Sequence, residues 1–236
     1  LILLLGDRYE IFAAAVGAFF LQVPIAHIHG GETTLGSMDE IMRHVITKMS
    51  HIHFVAAEDY RKRVIQLGED PSNVFNVGGL GVDVIKEINF LNKSEIENKL
   101  GFKFKETNFL VTVHPETYKK ELSARLIGNL ISSLNSFENT LIIFTLPNSD
   151  LGNQQIREKI ISYVKENSDK SVYFDSLGIE TYSSILRQVD LVIGNSSSGL
   201  LEAPSLRIPS LNIGIRQEGR LKAKSVFDSG YETKEI

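Results

Sequence analysis

Short runs of apolar residues alternate with longer amphipathic segments along almost the whole chain. Each run is five or six residues long, and apolar positions recur at helical spacing in segments such as "EIFAAAVGAFFL" and "REKIISYVKE". Strands that are apolar throughout and are separated by helices are typical of parallel sheets covered on both faces. We therefore predict an α/β fold with strands at residues 1–5, 24–29, 53–57, 74–78, 109–114, 140–145, 172–177, 191–195 and 209–214.

One stretch interrupts this alternation. Residues 80–106 contain glycines and then two helical segments without a strand between them, and Ser94 and Glu97 fit a capping box for the second helix. We predict two α/β domains, 1–80 and 81–236, that face each other across a cleft. Only four strands precede the boundary and the sequence opens directly on one of them. We therefore expect an incomplete first domain and a chain that is a piece of a longer one.

Composition narrows the class of protein. The 236 residues are 42% hydrophobic and 23% charged, as in an ordinary soluble globular protein. A net charge of −4 argues against a general nucleic-acid or anionic-membrane surface, and the lack of cysteine excludes disulfides, thiolate catalysis and cysteine metal sites. The opening "LILLL" is too short for a signal peptide or a membrane span. We expect a cytoplasmic protein that binds neither nucleic acid nor membrane.

The stretch "GNSSSGLLEA" follows an apolar strand and predicts a tight turn before a helix that begins near Ser198. Backbone N–H groups and hydroxyls in such a turn form an anion site, which the helix dipole favours further. Glu202, about one turn into that helix, suits the hydroxyl groups of a sugar such as ribose. The alternative is an ordinary helix cap with a surface glutamate. No P-loop motif is present, which argues against a P-loop NTPase.

Two aspartates are candidates for catalysis. Asp7 follows the first strand, where a carboxylate costs free energy unless it is paired or used; alternatively, Asp7 and Arg8 only cap the next helix. A capping box formed by Ser37 and Glu40 places Asp39 in the first turn of a helix that continues to about residue 50. A carboxylate there can act as a base. The alternative is a structural pair between Asp39 and the residue four positions later, an arginine.

All six histidines lie between residues 27 and 114, including two H-x-H pairs. Such pairs place both side chains on one face of a strand, which would suit a metal-dependent hydrolase. Neither H-x-H-x-D nor H-E-x-x-H spacing occurs, and buried histidines bonded to backbone groups are commoner than metal ligands, so we predict no metal. His114, which ends a strand and precedes a proline, is the best placed acid or phosphate ligand. After the last predicted strand, Arg216 and Arg220 follow in a loop suited to a diphosphate.

Several motifs together resemble a known family: "GDRYEIFAAA", "VPIAHIHGGET", "DEIMRHVITKMSHIHFV", "VTVHPET", "GNSSSGLLEAP" and "NIGIRQEGR". In this order they are similar to the hydrolysing UDP-N-acetylglucosamine 2-epimerases of bacteria and to the epimerase half of the animal bifunctional enzyme. The resemblance covers the whole chain. It implies two Rossmann-like domains in the glycosyltransferase-B arrangement, with UDP bound in the cleft. It also implies a UDP-sugar substrate, no cofactor, and a homo-oligomer (a dimer or a tetramer).

The resemblance also implies roles for individual residues. Asp7 and Asp39 match catalytic carboxylates, and His29 and His114 are further catalytic candidates. The matching UDP-binding positions are Arg8, His114, Asn148, Leu177, Ser196, Ser197, Glu202 and Arg216. The implied reaction removes the proton from C2 of the sugar while UDP leaves C1, and water then adds to the glycal to give N-acetylmannosamine.

One departure leaves the assignment of acid and base open. His29 stands where the animal enzyme and the non-hydrolysing branch have a catalytic glutamate, and the bacterial sialic-acid branch resembles this chain there. The stretch "MDEIMRH" favours the hydrolysing side. The family also has a glycine-rich phosphate loop before the first residue here and a closing helix after the last, so the chain as given is expected to bind UDP weakly or to be inactive.

Other functions fit part of the pattern. The same chemistry on UDP-2,4-diacetamido-trideoxyglucose, in the legionaminic acid pathway, is equally compatible with the sequence, and a non-hydrolysing epimerase is a further alternative. A glycosyltransferase would share the serine turn and Glu202 but would have less use for Asp7 and Asp39. A non-catalytic module that binds sugar nucleotides would need neither aspartate.

Overall fold

The computed structural model divides the chain into two compact units. The first unit comprises Leu1–Asp83 and Glu218–Arg220, and the second comprises Val84–Gln217 and Leu221–Ile236. The structure describes residues 1–35, 38–116, 120–148 and 152–236.

The first unit is built on a four-stranded parallel sheet in the order β1-β2-β3-β4. Its strands are β1 (Ile2–Leu5), β2 (Ile25–Ile28), β3 (Ile52–Val55) and β4 (Val74–Asn76). Its helices are α1 (Tyr9–Phe20), α2 (Asp39–Met49) and α3 (Glu58–Gln66), with a short 3-10 turn at Pro71–Asn73. Apolar side chains of β1, β2, α1 and α2 form one core, which includes Leu4, Ala15, Ala18, Ile25 and Ile46.

The second unit has a six-stranded parallel sheet in the order β10-β9-β8-β5-β6-β7. Its strands are β5 (Thr107–Thr112), β6 (Thr140–Thr145), β7 (Ser171–Phe174), β8 (Leu191–Gly194), β9 (Ser210–Ile213) and β10 (Val226–Ser229). The remaining helices are α4 (Leu80–Glu87), α5 (Lys93–Leu100), α6 (Lys120–Leu134), α7 (Asn153–Glu166), α8 (Gly178–Leu186) and α9 (Glu202–Ser205), with a 3-10 turn at Ser197–Gly199 before α9. Of the helices in the described ranges, none is long and apolar enough to cross a membrane.

Helices cover both faces of the second sheet, which explains its uninterrupted apolar strands. Neighbouring residues of β5 point to opposite faces: Leu110 packs in one hydrophobic cluster with Ile185, and Val111 packs in another with Leu126. All four side chains are fully buried. Burial of each large side chain of this kind contributes about 1.5–3 kcal/mol, so replacing one of these four side chains with a polar residue would lower the stability of the fold.

The predicted α/β class and all nine predicted strands are confirmed, and β10 was missed. Two of its four residues, Phe227 and Asp228, are exposed, so β10 has no continuous apolar run; it pairs only with β9. The capping box of α5 was predicted at the wrong residues. The structure forms it between Asn92 and Glu95, because Asn92 has the extended backbone that a helix cap requires while Ser94 already lies inside the helix.

The strand order of the second sheet creates a crevice between two loops. From β5 the chain proceeds outward through β6 and β7 on one side, and through β8, β9 and β10 on the other. The order therefore reverses between β5 and β8, where loops leave in opposite directions from the carboxyl ends of two adjacent strands. Ligands of open parallel sheets bind at such a point.

Gly194 ends β8 at this crevice with φ +135°. A Cβ atom at this position would lie 1.9 Å from the carbonyl oxygen of Thr112 on β5. Only glycine therefore allows β8 to approach β5 this closely and to turn immediately afterwards.

We predict that Gly194→Ala lowers the free energy of unfolding of the full-length protein by about 3 kcal/mol, because backbone would have to move to admit the methyl group. Gly17→Ala is the matched control: Gly17 lies inside α1 with open space around it, and we expect a gain of about 0.5–1 kcal/mol from helix propensity. Urea unfolding measures both variants. A Gly194→Ala midpoint equal to that of the wild type would contradict this account of the turn.

Candidate functional site

The loops after β1 and β2 meet around one buried guanidinium, that of Arg43 on α2. Its Nη2 donates to Oδ2 of Asp7 and, at 3.0 Å, to the hydroxyl of Thr34. Its Nη1 donates to Oε2 of Glu40 at 3.1 Å and to the main-chain oxygen of Glu32 at 3.0 Å. The side chain of Arg43 is only 1% exposed. One cation thus fixes the carboxylate of Asp7 and the backbone of the loop that follows β2.

Burial, followed by repulsion from Arg220, lowers the pKa of Arg43 to about 9, so the guanidinium still carries its charge at neutral pH. A buried charge without partners costs several kcal/mol, and the carboxylates of Asp7 and Glu40 offset that cost. Asp7 therefore has a structural partner in Arg43. Arg8, by contrast, contacts Glu10 at 3.4 Å and is the N-cap residue of α1 without a side-chain capping bond.

Asp39 is the first residue of α2, so its predicted place in the first turn is confirmed. The predicted capping box rests on Ser37, which lies outside the described residues. Glu40 Oε2 accepts a hydrogen bond from the backbone N–H of Thr34 at 2.5 Å and contacts Arg43. Its carboxylate therefore joins the cluster around Arg43 and anchors the start of α2 to the preceding loop.

His29 begins the turn after β2 in a left-handed backbone conformation, with φ +66°. Its Nδ1 lies 2.5 Å from Oε1 of Glu32, and Oε2 of Glu32 lies 3.4 Å from Nη2 of Arg220. Arg220, one of the two arginines of the loop that the sequence suggests for a diphosphate, therefore lies beside Glu32. The backbone N–H of Leu35 bonds to the carbonyl of Glu218 at 3.1 Å, which fixes Arg220 next to Glu32 within the first unit.

The other histidines of the first unit have structural partners. His27 is fully buried, and its Nε2 lies 2.8 Å from the carbonyl oxygen of Gly6 while its Nδ1 lies 3.1 Å from the hydroxyl of Thr47. His51 Nδ1 accepts from a backbone N–H at 3.3 Å, and His53 Nε2 contacts a glutamate at 3.2 Å. Within the described ranges, no three histidine, aspartate or glutamate side chains come together as a metal site would require.

In the second unit, Asn195 joins the two loops at the crevice between β5 and β8. Its Oδ1 accepts from the backbone N–H of His114 at 2.7 Å, and its Nδ2 donates to the carbonyl of His114 at 2.9 Å. The side chains of Arg216 and Gln217 both donate to the carbonyl of Asn195, at 3.2 and 2.8 Å. The structure thus brings together three sequence-predicted elements: His114, the serine turn and Arg216.

The serine turn has a different form from the one predicted. Ser197–Gly199 form a 3-10 turn, and the α-helix begins at Glu202 rather than near Ser198. Ser196 Oγ accepts from the backbone N–H of Ser198 at 3.4 Å, and Tyr182 donates its hydroxyl proton to Ser198 Oγ at 2.7 Å. Burial raises the pKa of Tyr182 to about 12, so it remains a donor throughout the neutral range.

His114, Asn148 and Leu177 lie at the same carboxyl edge of the sheet. Nδ1 of His114 accepts from the backbone N–H of Asn148 at 3.2 Å, so a neutral His114 carries its proton on Nε2 and can donate it to an oxygen. Leu177 was predicted at the end of a strand; β7 instead ends at Phe174, and Leu177 packs on the core as the N-cap residue of α8.

Sequence reasoning missed the residues that hold this site together. Tyr231 donates its hydroxyl to the buried carboxylate of Glu116, at 2.7–2.8 Å, and accepts from the backbone N–H of Ile215 at 3.2 Å, next to Arg216. Glu116 carries a weak signal, because it follows a strand within the "VTVHPET" motif. Tyr231 carries none, since only the fold places a residue near the end of the sequence beside the loop after β5.

We predict that Arg43→Met lowers the free energy of unfolding of the full-length protein by about 3–5 kcal/mol, because it leaves the carboxylates of Asp7 and Glu40 without their cation. The control is Lys62→Met, since Lys62 is exposed and pairs with Asp59 across 3.5 Å; we expect a change below about 0.5 kcal/mol. Urea unfolding compares the two. Equal effects would show that the buried guanidinium does not organise these loops.

A second prediction concerns pH. Burial lowers the pKa of His27 to about 4, below the value of about 6.5 expected in the unfolded chain. Between these values the unfolded state binds more protons, so stability falls as the pH falls, by up to about 3 kcal/mol at the lower end. We expect His27→Gln to remove this part of the slope and the exposed His51→Gln to retain it. Urea unfolding at several pH values between 4 and 7 tests this, and parallel slopes for wild type and His27→Gln would refute it.

Comparison with known proteins shows which family the chain belongs to. The UDP-N-acetylglucosamine 2-epimerase family matches residues 1–236. A Campylobacter jejuni protein named GDP/UDP-N,N′-diacetylbacillosamine 2-epimerase (hydrolyzing) is 42% identical over 97% of this chain and 60% of its own length. Polysialic acid biosynthesis protein P7 of Escherichia coli is 44% identical over 100% of this chain and 60% of its own length. The chain thus spans about 60% of the length of these relatives.

Solved structures show the same fold. The UDP-GlcNAc 2-epimerase of Neisseria meningitidis, bound to UDP-GlcNAc, has a TM-score of 0.81 at 16% identity and covers 99% of this chain, which matches 65% of that one. The Methanocaldococcus jannaschii enzyme, in complex with UDP-GlcNAc and UDP, has a TM-score of 0.80 at 16% identity, with coverages of 99% and 66%. The resemblance drawn from the motifs is confirmed, and the chain belongs to the UDP-N-acetylglucosamine 2-epimerase family.

Proposed function

We propose that the full-length protein is a hydrolysing UDP-sugar 2-epimerase that converts UDP-N-acetylglucosamine into UDP and N-acetylmannosamine. The observation that carries the proposal is the crevice between β5 and β8, where Asn195 joins the serine turn to His114 and Arg216. A 42% identical relative is named as a hydrolysing 2-epimerase. Family membership and this set of hydrogen-bond donors at a ligand-binding edge of the sheet favour a nucleotide sugar as substrate.

The second unit supplies the proposed UDP site. The backbone of the serine turn, with Ser196 and Ser197, binds the diphosphate together with Arg216, whose planar guanidinium suits phosphate oxygens. His114 donates from Nε2 to the same group, and Glu202 accepts from the ribose hydroxyls. Further contacts come from Arg8 in the first unit and from Asn148 and Leu177, the last beside the uracil.

The first unit supplies the proposed catalytic groups: Asp7, Asp39 and His29. A base takes the proton from C2, the C–H electron pair forms the C1=C2 bond, and the C1–O pair leaves with UDP. Water then adds its hydroxyl to C1 of the glycal, and a proton returns to C2 on the opposite face. Because the C2 proton is weakly acidic, stabilisation of departing UDP must supply much of the rate; one well-placed donor is typically worth about 10²–10³-fold.

A second substrate is supported by the names of two relatives. The Campylobacter jejuni protein and a 35% identical Legionella pneumophila protein are both named for N,N′-diacetylbacillosamine. The 44% identical Escherichia coli protein is named for polysialic acid biosynthesis, which favours UDP-N-acetylglucosamine and sialic-acid synthesis. The diacetamido sugar, in the legionaminic acid pathway, is therefore the alternative substrate for the same site. The cytoplasmic location and the homo-oligomer expected from the sequence stay predictions.

We predict that the full-length protein, incubated with UDP-N-acetylglucosamine in deuterated water, releases UDP and free N-acetylmannosamine that carries deuterium at C2. The label follows because C2 loses its proton and regains one from solvent. ¹H NMR measures both products. Asp39→Asn should abolish turnover and leave UDP binding, measured by calorimetry, within about threefold of the wild type, because Asp39 is proposed to act on the sugar alone.

Other experimental results would indicate a different reaction or a different substrate. UDP-N-acetylmannosamine would indicate a non-hydrolysing epimerase. Turnover of only the diacetamido sugar nucleotide would select the alternative substrate. Wild-type activity in Asp39→Asn would remove that carboxylate from the mechanism.

A further inference from the structure

We infer that Glu32 is a positioning residue that holds the imidazole of His29 with its proton on Nδ1, so that Nε2 of His29 accepts a proton in the reaction. The inference rests on the proposed function and deepens it. It starts from the 2.5 Å contact between Nδ1 of His29 and Oε1 of Glu32, at the carboxyl end of β2.

The contact determines which nitrogen of His29 carries the proton. A carboxylate only accepts hydrogen bonds, so Nδ1 of His29 must be the donor. In a neutral imidazole the other nitrogen, Nε2, then has a free lone pair. The side chain of Glu32 is 7% exposed and that of His29 is 19% exposed. The carboxylate is therefore enclosed, while part of the ring remains accessible.

Glu32 is itself fixed at three points. Its Oε1 contacts His29, its Oε2 lies 3.4 Å from Nη2 of Arg220, and its main-chain oxygen accepts from Nη1 of Arg43 at 3.0 Å. The same Arg43 binds the carboxylate of Asp7. The orientation of His29 is thereby tied to that of a second proposed catalytic group through one buried cation.

The backbone supports a role for His29 beyond packing. A non-glycine residue in the left-handed region costs about 1–2 kcal/mol, and such strain clusters at functional sites. The turn is nevertheless held, because the backbone N–H of His29 donates to the carbonyl of Phe54 at 2.9 Å. Gly31 follows with φ +77°, and a Cβ atom there would lie 2.5 Å from the carbonyl oxygen of Tyr60. The turn therefore combines a strained backbone at His29 with a position, Gly31, that has no room for a side chain.

A second histidine–glutamate pair in the same unit differs in the features that matter. His53 contacts Glu69 at 3.2 Å, but its side chain is 1% exposed and lies within the sheet on β3. A substrate cannot reach such a ring. The pair of His53 and Glu69 is structural, whereas His29 lies past the end of its strand and its side chain is 19% exposed.

In the proposed step His29 accepts the C2 proton while UDP leaves. Neutral His29 takes the C2 proton on Nε2, the C–H pair forms the C1=C2 bond, and UDP leaves with the C1–O pair. The ring becomes an imidazolium that donates from Nδ1 to the carboxylate of Glu32, a charge-assisted bond that is stronger than the one before transfer. Part of that positive charge is already present in the transition state of proton transfer. Glu32 therefore stabilises the transition state more than the ground state, which is the condition for catalysis.

The test compares Glu32→Gln with Glu69→Gln in the full-length protein. Both changes remove a glutamate charge beside a histidine, but only the first affects His29. We expect Glu32→Gln to lower kcat for UDP-N-acetylglucosamine by about 10–100-fold with KM within about threefold, and Glu32→Asp to recover part of that loss. Glu69→Gln should keep the wild-type kcat. ¹⁵N NMR of histidine-labelled protein, with His29→Gln used for assignment, should show the wild-type His29 proton on Nδ1.

Each result decides the inference. A wild-type His29 that carries its proton on Nε2 would overturn it, even if Glu32→Gln fails to fold. Wild-type kcat in Glu32→Gln would overturn it while the proposed function stands. If instead the wild type releases no UDP from either sugar nucleotide, the proposed function fails, and the tautomer measured by NMR still decides whether Glu32 orients His29.

Discussion

The charge of Arg43 in the interior of the first unit is the constraint on which the candidate catalytic groups depend. A buried guanidinium is tolerated only when carboxylates and carbonyl oxygens surround it, and here these belong to Asp7, Glu40 and the backbone of Glu32. Each comes from a different place: the loop after β1, the start of α2 and the loop after β2. The hydrogen bonds of Arg43 therefore hold these three segments in a fixed arrangement. Asp7 is held directly, and His29 is held through its contact with Glu32.

In the second unit a side-chain amide has the corresponding structural role. Its two loops at the point of strand reversal are joined by the amide of Asn195, which both accepts from and donates to the backbone of His114. Because Gly194 allows β8 to lie close to β5, the amide can reach across. The carbonyl of Asn195 then receives Arg216 and Gln217. In both units a buried polar group that bonds to loops after the strands positions the proposed site residues, while the apolar sheet supports those loops.

The fold could be predicted from the sequence where buried strands require runs of apolar residues. Five strands of the second sheet are apolar runs because helices cover both of its faces, whereas Leu3 and Leu5 of β1 in the first unit are exposed; the apolar pattern nevertheless found all nine predicted strands. β10 was missed because a half-exposed edge strand needs no apolar run. The capping box of α5 was misplaced because two overlapping sets of polar residues fit the motif and only backbone conformation selects Asn92. The α-helix after the serine turn begins at Glu202 for a similar reason: a 3-10 turn has no distinct sequence signature.

The sequence by itself determined the fold class, the family, and the placement of polar residues just after the strands, because parallel strands direct all their carboxyl ends to one edge. Only the tertiary structure decided which of those residues meet. It placed Arg220 beside Glu32, linked Tyr231 to Glu116, and gave Asp7 a buried partner in Arg43. Each of these contacts joins residues far apart in the chain. Such pairings are set by the packing of helices and loops, for which sequence spacing carries no signal.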